Sequence, residues 1–205
     1  MRDAAQDRHT GHKARIAPLR AAQYDFSESG VRATLERAFA QDAVIRLAFP
    51  FGDMTGAAEF YDRAYAPLLA AIPDLERRDT IVMAGPTPEG ADWVGCGGYY
   101  TGTFVAPWLD IPPTGHQVHM RFHEFYRFED GRVAEFQGLW DIPEVMMQAG
   151  AWPMVPSLGR EWHVPAPATQ DGSAVGETKF HIGFTESDPP VAIPIWSLGV
   201  TDPQG

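Results

Sequence analysis

Residues 116–128 read HQVHMRFHEFYRF, residues 129–131 EDG and residues 132–140 RVAEFQGLW. Val118, Met120, Phe122, Tyr126 and Phe128 alternate with Gln117, His119, Arg121, His123 and Arg127, the period of a strand with two unlike faces. Glu129-Asp130-Gly131 suits a tight hairpin turn, so 116–128 and 132–140 read as paired strands. Asp141-Ile142-Pro143-Glu144 then places an Asp three before a Glu, the pattern of a capping box, and opens a short helix through Gln148.

Outward from this hairpin, Asp92–Val105 reads as a long strand whose glycines at 95, 97, 98 and 102 imply a bulge or strong bend, or close approach of a ligand or helix, with the bend favoured. Leu75–Met83 reads as a further strand. Before it, Phe60, Tyr61, Ala64, Tyr65, Leu68, Leu69 and Ile72 form a helical stripe starting near Thr55, with a kink or restart at Pro67. Val44–Leu47 is a short strand. Val31, Leu35, Ala38 and Phe39 predict a helix reaching Gln41, capped by Ser27 or Ser29. A shorter helix over Ala14–Tyr24 is limited by Pro18, and residues 1–12 read as frayed. Helices followed by hairpin-linked strands predict an α+β fold: a curved, cone-shaped antiparallel sheet with N-terminal helices covering its mouth.

The domain spans 1–150, and 151–205 is a Pro-rich, irregular C-terminal extension. Its Trp152, Trp162, Phe180, Phe184 and Trp196 are unusual for a disordered tail, so it is expected to wrap the domain or a partner subunit, with Ala151–Trp162 docked. A formal net charge of −11 disfavours nucleic acid and anionic membranes as partners, and Arg77-Arg78 reads as a solvated pair. The single cysteine, Cys96, excludes an intrachain disulfide and reads as a small buried side chain. No signal-like or membrane-length apolar run is present, so a soluble, cytoplasmic protein is expected.

Trp93-Val94, Tyr100-Thr101-Gly102, Ile111-Pro112-Pro113-Thr114-Gly115, Arg127-Phe128-Glu129-Asp130-Gly131 and Trp140-Asp141 through Gln148-Ala149-Gly150 come in an order and spacing similar to the polyketide-cyclase (SnoaL-like) family. The preceding helix, the first strand, Gly56 and Ile72-Pro73-Asp74 fit as well, so the resemblance covers residues 28–150. It implies a cone of the nuclear-transport-factor-like superfamily, a homodimer packed through the sheet, and a pocket for a hydrophobic small molecule. It also implies intramolecular aldol chemistry by acid–base side chains without metal or cofactor. With the comparison anchored on Asp130-Gly131, the family's catalytic aspartate falls on Gly138 and its two pocket histidines on Glu124 and Phe136.

Proton abstraction beside a carbonyl needs a base near the working pH and a donor for the developing oxyanion. Glu124 shares the apolar face with Phe122 and Tyr126, where desolvation makes a carboxylate a usable base; the structural alternative is an internal ion pair or a position at the rim. Asp141 is the second candidate, against a role as helix cap. Phe122, Tyr126, Phe136, Trp140 and Tyr100 are read as pocket wall. His119 and His123 lie on the opposite face. They stand about 13 Å apart along a strand, with His116 on the other side, so they make no zinc site. Arg46, on the first strand, has a buried carboxylate or an anionic substrate as alternatives to a surface ion pair, the default reading. No phosphate loop, dinucleotide fingerprint or nucleophile elbow occurs. The leading functional expectation is a cofactor-independent lyase or isomerase acting on a hydrophobic carbonyl compound. The alternative is a non-catalytic protein that binds such a compound or serves as a dimeric scaffold, and a weaker third is an epoxide or ester hydrolase.

Overall fold

The computed structural model describes residues 2–155. Two helices, α1 (Arg2–Tyr24) and α2 (Glu28–Ala38), precede strands β1 (Phe39–Leu47) and β2 (Gly52–Thr55). Helix α3 (Gly56–Phe60), a π-helical turn (Tyr61–Tyr65) and α4 (Ala66–Ala71) follow. Strands β3 (Glu76–Pro86), β4 (Asp92–Thr103), β5 (Gln117–Glu129) and β6 (Arg132–Trp140) lead to α5 (Ile142–Gln148). The six strands form one sheet in the order β2-β1-β6-β5-β4-β3.

The fold is the expected α+β arrangement, but the sheet is mixed. β1 and β6 run parallel, because the helices after β2 carry the chain to the far edge and the meander from β3 returns to β1 in the same direction. β2 escaped the sequence reading, since a four-residue strand shows too little alternation. Phe39, expected in the α2 helix, instead opens β1: it pairs with Val133 and is buried in the sheet. Helix α1 starts far earlier than Ala14 and runs through Pro18. Pro18 lies on the exposed side, where its missing N–H disturbs no packing, while Ile16, Leu19 and Gln23 are buried. His12 extends the docking by stacking on Phe128 at 4.6 Å. Packing of this stripe outweighs the local cost of proline.

The restart at Pro67 is present. Pro67 stands in the first turn of α4, and the Ala66 N–H reaches back to the Tyr61 carbonyl, the longer reach of a π turn. Asp130 (φ 48) and Gly131 (φ 75) make the β5–β6 hairpin turn in the left-handed region. In β4, a Cβ on Gly98 would stand 2.1 Å from the Arg78 carbonyl oxygen, next to the irregularity between Asp79 and Ile81 in β3. The glycine run therefore serves close backbone approach as well as a bulge. At the C-terminal side, Ala151 and Trp152 are half-buried and Pro153, Met154 and Val155 are exposed. The rest of the segment expected to dock through Trp162, and of the 151–205 extension, lies outside the described residues. No described helix is long and apolar enough to cross a membrane.

Candidate functional site

The inner face of the sheet collects alternate residues of every strand. β5 contributes Val118, Met120, Phe122, Glu124, Tyr126 and Phe128, all buried. Glu124 is 0% exposed, and four donors surround its carboxylate. Oε1 accepts from the Tyr100 hydroxyl at 2.9 Å and the Trp140 indole N–H at 3.0 Å. Oε2 accepts from Arg77 Nη1 at 2.6 Å and the Tyr126 hydroxyl at 2.7 Å. A carboxylate offers about four lone-pair positions. All are taken, and the partners are donors, as an ionised carboxylate requires.

Arg77 is not one of a solvated pair. It is 1% exposed, because strand alternation sends Arg77 inward with Asp79 while Arg78 faces outward. Its Nε donates to Asp79 at 3.0 Å, and Asp79 also accepts from Arg20 of α1 at 2.8 Å. Nη1 additionally reaches Gln23 Oε1 at 3.0 Å and the Tyr100 oxygen at 3.1 Å, and the guanidinium lies 4.2 Å over the Phe122 ring. The Tyr65 and Tyr100 hydroxyls are 3.2 Å apart. Since the Tyr100 proton goes to Glu124, Tyr65 is the donor of that pair.

Electrostatics follow from burial. Desolvation pushes the Tyr65, Tyr100 and Tyr126 hydroxyls upward, and the nearby Glu124 charge adds to it. These tyrosines are donors, not bases. Burial by itself would lower Arg77, but Glu124, Tyr126, Tyr100 and Asp79 outweigh it and hold the guanidinium charged. Burial also pushes the Cys96 thiol up to about 12. Because the Cys96 thiol ionises more readily in the unfolded chain, its contribution to stability is complete below pH 9 and is lost as pH rises towards 12. We therefore expect Cys96 to resist iodoacetamide at pH 8.5 in the native protein and to react within minutes in urea. Equal rates in the two states would refute the burial argument.

The other expected residues fall into two groups. Phe122, Tyr126, Tyr100 and Trp140 are gathered around Glu124 and Arg77, while Phe136 packs on Phe60 (4.7 Å) and Tyr126 (5.1 Å) beside them. Asp141 stands apart as the N-cap of α5, its Oδ1 accepting from the Glu144 N–H at 3.2 Å. The expected capping box is only half formed, because Glu144 turns elsewhere. Its Oε2 accepts from the Arg121 N–H at 2.8 Å, and its Oε1 lies 3.2 Å from His119 Nε2. Where β6 has ended, side chains of α5 thus satisfy the edge of β5; Gln148 bonds both the N–H and the carbonyl of His119. Burial raises the Glu144 carboxyl, opposed by Arg121 and His119.

His119 and His123 are on the outer face as expected, and Arg46 pairs with Glu135. That face also carries a shallow depression of about 390 Å³ lined by Arg46, His123, Phe125, Gln137 and Leu139. Among the described residues, no three His, Cys, Asp or Glu side chains converge as metal ligands. Residues that the sequence reading missed are Arg77, Asp79, Gln23, Tyr65 and Glu144. Arg77 and Asp79 did leave a signal, sharing alternate positions with Leu75 in an expected strand. Gln23 left none, since its partner is 54 residues away.

Gly138 lies directly across from Glu124 in the β5–β6 register. A Cβ there would meet Leu47 Cδ1 and Phe136 Cε1, both at 2.7 Å, so those side chains already fill the space in which a residue at this position would place its side chain.

Comparison with known proteins agrees with this architecture. The structure superposes on AclR from Streptomyces galilaeus with a TM-score of 0.59 at 23% identity, covering 73% of this chain and 91% of that one. For IdmH from Streptomyces antibioticus the TM-score is 0.56 at 25% identity, over 68% and 98% of the two chains. An NTF2-like protein from Burkholderia thailandensis gives 0.51 at 19% identity, over 68% and 96%. A search of curated proteins finds no match. The sequence itself matches the SnoaL-like polyketide cyclase model over residues 17–149, most of the described domain, and the chain therefore belongs to that family.

Proposed function

We propose that the domain binds a hydrophobic, carbonyl-bearing small molecule, and that Glu124 organises the polar centre of the binding site instead of removing a proton. The observation that carries this reading is the full occupancy of the Glu124 carboxylate by Arg77, Tyr100, Tyr126 and Trp140. A general base needs a free lone pair within reach of the proton it takes. The surrounding rings supply the apolar contacts on which affinity for such a compound rests.

The catalytic reading, with Glu124 as base for aldol or isomerase chemistry, has one observation in its favour. Glu124 stands directly across from Gly138, where the family resemblance puts the catalytic aspartate, so a carboxylate borders that position from the neighbouring strand. Deuterium exchange at the α-carbon of α-tetralone, followed by NMR in D₂O, separates the two. Under the binding reading, the protein binds α-tetralone without accelerating exchange beyond buffer, and Glu124→Gln leaves affinity within a few-fold. A wild-type acceleration that Glu124→Gln lowers by ~10²-fold or more, with folding intact, would establish the catalytic reading instead.

A further inference from the structure

Arg77 Nη1 is crowded with partners, but Arg77 Nη2 and the neighbouring Gln23 Nε2 meet no acceptor in hydrogen-bond geometry, although both side chains are almost wholly buried. The Gln23 amide is close enough to the Tyr65 hydroxyl to temper its upward shift, yet its nitrogen makes no hydrogen bond there. The orientation of the amide is not arbitrary. Arg77 Nη1 can only donate, so the Gln23 oxygen must face it and the nitrogen must face away. Buried N–H groups without acceptors are costly, and native proteins seldom retain them without a purpose.

Both unmatched groups are donors, and one carries positive charge. Building on the binding reading above, we propose that the Nη2 edge of Arg77, flanked by Gln23, is the anchoring site for the carbonyl or carboxylate oxygen of the bound compound. An oxygen without hydrogens of its own suits these donors; a water would bring two hydrogens needing acceptors. Glu124 and Asp79 then act as positioning residues. They hold Nη1 and Nε at 2.6 and 3.0 Å, which fixes the plane of the guanidinium and turns Nη2 towards the ligand. Gln23 and Arg20 reach this network from α1, so loading requires that helix to give way.

The test compares α-tetralone with tetralin, which has the same rings without the oxygen, by calorimetric titration. Wild-type protein should bind α-tetralone about tenfold or more tightly than tetralin. Arg77→Lys keeps a cation beside Glu124 but removes the Nη2 edge, and should bring the ratio of α-tetralone to tetralin affinity down to about one. Gln23→Met, which leaves the Arg77–Glu124 pair intact, should lower the preference several-fold and serves if Arg77→Lys does not fold. If wild type binds both compounds equally, the anchor is wrong while the apolar binding reading stands. A preference that survives in a folded variant also overturns the anchor. Failure of wild type to bind either compound overturns both readings.

Discussion

Arg77→Met should cost about 3–5 kcal/mol of folding stability, because it strands the Glu124 carboxylate in the core without its cation. Natural domains have only about 5–15 kcal/mol in reserve, so the variant should be marginal at 25 °C and unfolded well below the wild-type Tm. The cost lies in the uncompensated charge and not in lost attraction alone. Adding Glu124→Gln to Arg77→Met should therefore recover part of the loss, since the amide is neutral and still accepts from Tyr100 or Trp140. Urea denaturation of wild type, both single variants and the double variant closes the cycle. A loss below about 1 kcal/mol for Arg77→Met, or strict additivity of the two substitutions, would show that the pair does not organise the interior.

The second large effect is expected at Gly138. Gly138→Asp restores the residue type that the family resemblance assigns there, yet its Cβ would fall 2.7 Å from both Leu47 Cδ1 and Phe136 Cε1. Overpacking of this kind costs about 1–3 kcal/mol, and the new carboxylate would also face Glu124 across the β5–β6 pair. Gly138→Ala should show the steric part alone, and Gly138→Asp a clearly larger loss without any gain in α-tetralone exchange. Thermal melts and the exchange assay on the two variants check this. Wild-type stability in Gly138→Asp, or exchange activity appearing with it, would show that the site still accommodates the chemistry that the family resemblance implies.

The β5–β6 hairpin, the α5 helix and the restart at Pro67 were legible from local residues, because each depends on a period or on turn chemistry contained within a few positions. Asp130-Gly131 can occupy the left-handed region without help from the rest of the chain, and Pro67 can sit only where its missing N–H does no harm. Alternation likewise placed Glu124 on the apolar face and His119 and His123 on the other. Elements whose limits rest on distant partners were read less well. Helix α1 continues through Pro18 because the sheet takes up Ile16, Leu19 and Gln23, and Phe39 joins a strand because Val133 pairs with it.

By itself, then, the sequence determined the class of fold, the inward direction of Glu124 and the aromatic character of its surroundings, since these follow from strand period and residue type. Only the tertiary structure decided what Glu124 is bonded to. Arg77 lies 47 residues before it, Gln23 a further 54 before that, and Trp140 arrives from the next strand. A side chain's charge and hydrogen-bonding capacity are written in its own residue. Whether that capacity is spent depends on which atoms lie within about 3 Å, and the folded path of the whole chain sets those distances.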